Sequence, residues 1–285
     1  LFRQFPDFPD TLFPGAEGEG TNIMLEALFG RQKPLIGMVH LAALPGSPGY
    51  GGNFEKVLQL ALEDAKHLAQ GGMDGLLLEN LGDTPYFPGR VEAISLATMT
   101  EAATHLRGFG LPFGINVLRN DARGALAVAE ASGASFIRVN VHLGALATDQ
   151  GILQGEAHET LRLRRAPVLV FADISVKHAS PLVFTDPAQE AKNLLSQGLS
   201  DALIVSGRET GHPVDKNLLR AAKKAAGVAP LLIGSGVSAK NIAPLLEIAD
   251  GAIVGTALKK TGDLQAPVDP KRVRALIQAA LACHP

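Results

Sequence analysis

The residues able to do chemistry recur at one kind of place, the last positions of short apolar runs. His40 follows LIGMV, Glu79 and Asn80 close GLLLEN, and Asn116 sits in PFGINV. Arg138, Asn140 and His142 lie in SFIRVNVH, Asp173 closes VLVFAD with Lys177 in the loop beyond, and Ser206 closes DALIVS. An acid inside an apolar run is costly unless it is paired or used. Glu79 and Asp173 are therefore the candidate proton-transfer groups, with Glu79 alternatively a partner for Arg138 or Lys177. Asp173 and Lys177 could equally form a salt bridge. Lys177 is a candidate for holding an anion, since nothing in its surroundings marks the depressed pKa that Schiff-base chemistry needs. His40 and His142 are candidate proton shuttles, a hydrogen-bonded structural histidine being the plainer reading of each. His40, Glu79 and Asp173 are also a nitrogen and oxygen set suited to a divalent metal, but without HxxE or HExxH spacing, so no cofactor is required. Arg138 and Asn140 share one side of a strand by their i, i+2 spacing. Arg138 lies deeper, where it can buttress acids, and it stands with Asn140, Asn116 and Ser206 as a candidate substrate contact.

A second pattern lies in LLIGSGVSAKNIAPLLEIADGAIVGTALKK, residues 231–260. Two apolar runs stop in residues too small to shield the backbone, at Gly234-Ser235-Gly236 and at Gly255-Thr256. Exposed N–H groups at such turns can cradle phosphate or carboxylate. The plainer reading is tight turning alone.

The elements that must position these groups alternate in texture from Lys33 onward. Strand-like runs at 35–39, 75–79, 112–117, 135–141, 168–174, 201–206, 230–234 and 251–255 are almost continuously apolar, as parallel strands covered on both faces are. Helical patterns separate them. One over 54–70 follows Asn53 and stops at Gly71, while Asp186-Pro187 and Asp269-Pro270 each pair a capping acid with a first-turn proline. Pro244 marks where its helix can start. Eight strand–helix units in this length predict a (β/α)₈ TIM barrel; an open doubly wound sheet is the alternative, but His40-Leu41-Ala42-Ala43 lacks its glycine fingerprint. Helix-to-strand links are terse and strand-to-helix links long, so the elaboration sits at the carboxyl ends of the strands, where barrel sites are built. The seventh and eighth strands are then neighbours, which brings the two glycine turns together. The segment Pro45–Gly52 is a candidate lid or an ordered edge loop.

Composition narrows the function classes. The 285 residues carry a formal charge of −2, giving no electrostatic case for nucleic acid. The basic cluster Lys216, Arg220, Lys223 and Lys224 reads as a solvated helix face. The single cysteine, Cys283, rules out an intrachain disulfide and a thiolate metal cluster. No apolar run reaches the ~18 residues of a membrane span. The expected setting is cytoplasmic, with any membrane association peripheral. Residues 1–23 hold three prolines without helical or strand period. They read as a non-native or flexible extension, ahead of a single barrel domain over 24–285.

Several stretches resemble the BtpA family: PLIGMVHLAALPGSP, FIRVNVHLGALATDQGILQGEAHETLRLRR, DISVKHASPL, VSGRETG and GSGVSAKNI…ADGAIVGTALK. The likeness runs in order from Lys33 to Val273 and leaves out residues 1–23. Asp149, Gln150, Gly151 and Glu156 match the family pattern in the long loop after the fourth strand, and Asp149 joins the substrate-binding candidates. The resemblance implies a barrel of the ribulose-phosphate-binding type and a link to photosystem I biogenesis, with a thylakoid surface association if the source is cyanobacterial. It supplies no reaction. Two functions are expected to compete. One is an enzyme acting on a small phosphorylated metabolite, a sugar or nucleotide phosphate, by isomerase, lyase or hydrolase chemistry. The other is a non-catalytic assembly or stability factor for a membrane protein complex. A homo-oligomer is expected in either case.

Overall fold

The computed structural model describes residues 23–174, 179–183, 186–207 and 214–282. Eight parallel strands close into a barrel: β1 (Leu35–His40), β2 (Gly75–Glu79), β3 (Phe113–Asn116), β4 (Phe136–Val139), β7 (Leu169–Ile174), β9 (Ala202–Val205), β10 (Leu231–Ile233) and β11 (Gly251–Val254). Their order around the barrel is β1-β11-β10-β9-β7-β4-β3-β2, the last pairing back with the first. The expected barrel and all eight expected strands are present, several trimmed by a residue or two at their ends.

Helices cover the outside where their caps permit. α2 (Phe54–Gly71) starts where the Asn53 side chain accepts from the Lys56 N–H at 3.0 Å and ends at Gly72 in the left-handed region. Asp186 caps α6 (Pro187–Ser196) and Asp269 caps α9 (Pro270–Leu281), each through its side chain and with proline in the first turn. Pro244 lies in the first turn of α8 (Ile242–Leu246), where a missing N–H costs no helical bond. On α7 (Lys216–Ala226), Lys216, Arg220 and Lys224 are solvated as expected. Lys223 instead makes a half-buried ion pair with Asp250 at 2.6 Å.

The apolar interior divides in two. One cluster fills the space between barrel and helices. The other fills the barrel itself with Ile36, Met38, Leu77, Phe136, Phe171, Ile204, Leu232 and Ile253. Phe136 and Phe171 stack with centroids 4.6 Å apart, and Phe29 meets Phe136 edge-on at 5.9 Å. Phe29 and the buried Leu25 belong to α1 (Ile23–Phe29), which thereby plugs one end of the barrel. That helix begins one residue ahead of the expected domain start.

Three short strands, β5 (Ala145–Thr148), β6 (Gly151–Gln154) and β8 (Ala179–Pro181), form a separate antiparallel sheet in the order β6-β5-β8. It joins the loop after β4 to the segment after β7. Its own small core, built on Val141 and Leu153 with Leu146 and Ala179, is distinct from both barrel clusters.

Candidate functional site

Strand periodicity explains how the mouth of the barrel becomes polar. Side chains two residues apart share a face. Met38 therefore carries His40 above it, Leu77 carries Glu79, Gly114 carries Asn116, and Phe136 carries Arg138. Across the barrel, Phe171 carries Asp173, Ile204 carries Ser206, Leu232 carries Gly234 and Ile253 carries Gly255. At one level every strand changes from apolar filling to a polar side chain or none.

Within this ring, neighbours in space are neighbours in the strand order. The Asn116 amide donates to Glu79 at 2.7 Å, and the other Glu79 oxygen lies 3.8 Å from His40 Nε2. Arg138 donates to both oxygens of Asp173, through Nε at 3.1 and 3.3 Å and Nη2 at 2.9 Å. The Asn140 amide adds a donor to the same carboxylate at 2.7 Å, and Ser206 Oγ lies 3.4 Å from Arg138 Nη2. Burial works against the Arg138 charge, but the Asp173 charge and hydrogen bonds, with help from Glu79, more than offset it and hold its pKa above the ordinary value. Arg138 thus buttresses an acid as expected, and that acid is Asp173. Glu79 is bonded to Asn116 instead of to Arg138. Asn116 lies behind Glu79 and not on the cavity wall. Ser206, likewise off the wall, backs Arg138.

The two glycine turns lie side by side at the ends of β10 and β11. A Cβ at Gly234 would stand 2.5 Å from Ile204 Cγ2 and 2.6 Å from Ser206 Oγ; at Gly255 it would stand 3.0 Å from His40 Cε1. Gly234 has no room for a larger residue unless a neighbour shifts, and Gly255 is tightly fitted against His40. Gly236 adopts φ +69°, which glycine reaches without strain, and Asn241 pins the turn by donating to the Gly236 carbonyl at 2.8 Å and accepting from the Ser238 N–H at 2.8 Å. The Gly234 N–H is engaged with the Val205 carbonyl, and the Ser235 hydroxyl accepts from the Gly207 N–H at 2.7 Å. Among the described residues, no acceptor engages the N–H groups of Ser235, Gly236, Thr256 or Ala257. What the two turns present is therefore backbone N–H, while Gly234 and the Ser235 side chain shape them.

The polar ring and the two glycine turns open into one cavity of about 500 Å³. Its wall includes His40, Glu79, Arg138, Asn140 and Asp173 together with Gly234, Ser235, Gly236, Gly255 and Thr256. Asp149 and Gln150, at the turn between β5 and β6, bring the small sheet over it. The covering element is thus this sheet. The segment Pro45–Gly52 is an edge loop folded on its own turns, with Leu44 N–H tied to Asp83 at 2.8 Å, and it does not line the cavity. His142 also lies off the wall, its Nε2 bonded to the Gly198 carbonyl at 2.8 Å. Lys177 lies outside the described residues.

Sequence reasoning missed Arg119 and Asn241. Arg119 is buried on the wall just past β3, within electrostatic reach of Asp173 and Glu79. Burial lowers its pKa, and those two acids recover part of the loss. Its position after the end of an apolar run was the only mark it carried. Among the described residues, no three His, Cys, Asp or Glu side chains gather as a metal-ligand set. His40, Glu79 and Asp173 are separated by the engagement of Asp173 with Arg138.

A family model described as the BtpA family matches residues 31–282. The chain belongs to the BtpA family. It is 44% identical over 255 residues to the photosystem I biogenesis protein BtpA of Synechocystis sp., covering 88% of this chain and 89% of that protein. It is 42% identical over 250 residues to an uncharacterized protein of Pyrococcus furiosus, covering 87% and 94%. Among solved structures, N-(5'-phosphoribosyl)anthranilate isomerase from Pyrococcus furiosus matches with a TM-score of 0.54 at 15% identity, covering 88% of this chain and 99% of that one. That likeness shows the fold of this BtpA family member and nothing finer. No helix among the described residues is long and apolar enough to cross a membrane.

Proposed function

We propose that this BtpA family member binds a small phosphorylated metabolite in the barrel mouth and moves a proton close to the seated phosphate. The observation that carries the reading is a single cavity wall holding both the backbone donors at Ser235, Gly236, Thr256 and Ala257 and the buried acids Glu79 and Asp173. Phosphate would take the donors, as anions do at such turns. Of the two acids, Glu79 is assigned the proton transfer. Asp173 has both oxygens committed to Arg138 and one also to Asn140, which suits a fixed negative charge that orients the ligand. Glu79 accepts one hydrogen bond from Asn116 on one oxygen and faces His40 with the other. His40 adjoins Gly255, so it links the proton-moving pair to the phosphate seat. Proton transfer beside a phosphate group serves isomerisation, aldol-type cleavage and hydrolysis alike. Asp149 would contact the ligand from the covering sheet, and Lys177 is retained as an anion-holding candidate.

A thermal-shift screen of sugar phosphates and nucleotides tests this. A stabilising compound should lose its effect in Thr256→Asp, which places a negative charge in the seat, and keep it in Glu79→Gln, which should abolish turnover. A screen without any stabilising phosphate compound, on folded protein, would contradict the proposal.

A second reading, a non-catalytic assembly factor for a membrane complex with peripheral association, is favoured by the name of the Synechocystis relative. The exposed apolar side chains of Ile152, Leu182 and Val183, on or next to the small sheet, favour it too. In cells lacking their own BtpA family member, rescue by Glu79→Gln would favour the assembly role. Failure with normal protein levels would favour chemistry.

A further inference from the structure

The cavity is larger than a phosphate and a short carbon chain would fill. About 500 Å³ falls within the ~300–1,000 Å³ of pockets that enclose larger organic ligands. Its walls also differ in character. In the barrel order β10 lies four places from β3, hence across the mouth. The wall at the ends of β2 and β3 carries Leu81, Tyr86, Leu118 and Arg119, whereas the wall near β10 and β11 sets its glycine turns among small or aliphatic side chains such as Val237, Ser238 and Ala257, with no ring or guanidinium among the described residues. The far wall is rigidly built. Asn80, fully buried, accepts from the Leu118 N–H at 2.7 Å and donates to Asp83 at 3.0 Å, and the Arg119 N–H bonds to the Phe87 carbonyl at 3.1 Å. The Tyr86 hydroxyl donates to the Leu81 carbonyl at 2.7 Å, so what Tyr86 has left to offer is its ring.

We infer that the wall opposite the phosphate seat is a subsite for a planar π group, so that the ligand is a phosphoester bearing a nucleobase or aryl ring and not a simple sugar phosphate. The inference rests on the phosphate seat proposed above and narrows its ligand class. A tyrosine ring, two leucines and a guanidinium plane together match a flat, polarisable surface, which stacks on rings and guanidinium faces alike. Stacking uses the guanidinium face and does not compete with hydrogen bonds made at its edge N–H groups. A polyhydroxyl chain would instead find few partners along Leu81 and Leu118 and would strand its hydroxyls against them.

Calorimetric titration of the full chain with inorganic phosphate, ribose 5-phosphate, AMP and UMP tests the subsite. AMP or UMP should bind about tenfold or more tightly than ribose 5-phosphate, the gain expected from one stacked ring. Tyr86→Leu, which keeps apolar bulk, and Arg119→Lys, which keeps charge, should each reduce that preference several-fold, read as the ratio of nucleotide to ribose 5-phosphate affinity. Equal affinity of all three organic phosphates for the wild-type chain would overturn the inference while leaving the phosphate seat intact, and this comparison needs no variant. A nucleotide preference that survives in both variants would also overturn it. No binding of any of the four compounds would overturn the phosphate seat itself.

Discussion

Glu79 and Asp173 are both buried at the barrel mouth, and their difference lies in what holds them. Asp173 balances the charge of Arg138, which is itself fully enclosed. Asp173→Asn would leave that guanidinium without its counter-charge, and breaking one side of a buried pair costs about 3–5 kcal/mol. Glu79→Gln keeps an oxygen for the Asn116 amide and should cost about 1 kcal/mol or less. Denaturant unfolding of the two variants would show the contrast, and equal losses would contradict this division of roles. His142 gives a pH prediction. Burial lowers its pKa below 6.5, with Arg164 acting the same way and the Gly198 carbonyl partly opposing. A depressed folded-state pKa means that the unfolded chain binds the extra proton first. The stability from neutral His142 is therefore present above the unfolded value of about 6.5 and is lost as pH falls toward the depressed value. Melting temperature should drop across that acid window, and His142→Gln, able to donate to Gly198, should flatten the drop.

At the scale of elements, the seat depends on strands ending in glycine because their neighbours lean over them. Gly234→Ala would force a methyl against Ile204 and Ser206 and should destabilise by about 1–3 kcal/mol, read as a lower urea midpoint at unchanged slope. An unaffected midpoint would mean that the glycine is there for turning alone. The barrel strands were legible in the sequence because strands covered on both faces read as unbroken apolar runs, and GLLLE and VLVFADI could hardly be anything else. The inward face of each run was legible too, since alternation decides which polar residue stands at the mouth. The small sheet was not legible. Its strands are three or four residues long and mostly exposed or half-exposed, and β8 pairs with β5 from thirty or so positions away, so ALAT, GILQ and ASP read as loop. With the sheet read as loop, Pro45–Gly52 stands in the sequence as a candidate lid beside its reading as an ordered edge loop, and it is the second that the structure shows. Arg119 escaped for a related reason: strand patterns point to strand ends, and it lies beyond one.

At the scale of the molecule, the barrel separates its tasks along its axis. Phe29, Phe136 and Phe171 close and fill one end, which frees the opposite end to be polar. α1 could not be assigned this work from sequence, because the ring that Phe29 meets, Phe136, lies more than a hundred residues away. The same separation places every long loop at the carboxyl ends of the strands, so ligand contacts can vary without disturbing the filled interior. The claim on which the account turns is that the donors at the β10 and β11 turns bind phosphate. Amide chemical-shift mapping during titration with inorganic phosphate tests it most directly. The account predicts saturable shifts greatest at Ser235, Gly236, Thr256 and Ala257, and their loss in Thr256→Asp. Shifts centred on the exposed lysines of α7, or none at high millimolar phosphate, would contradict it.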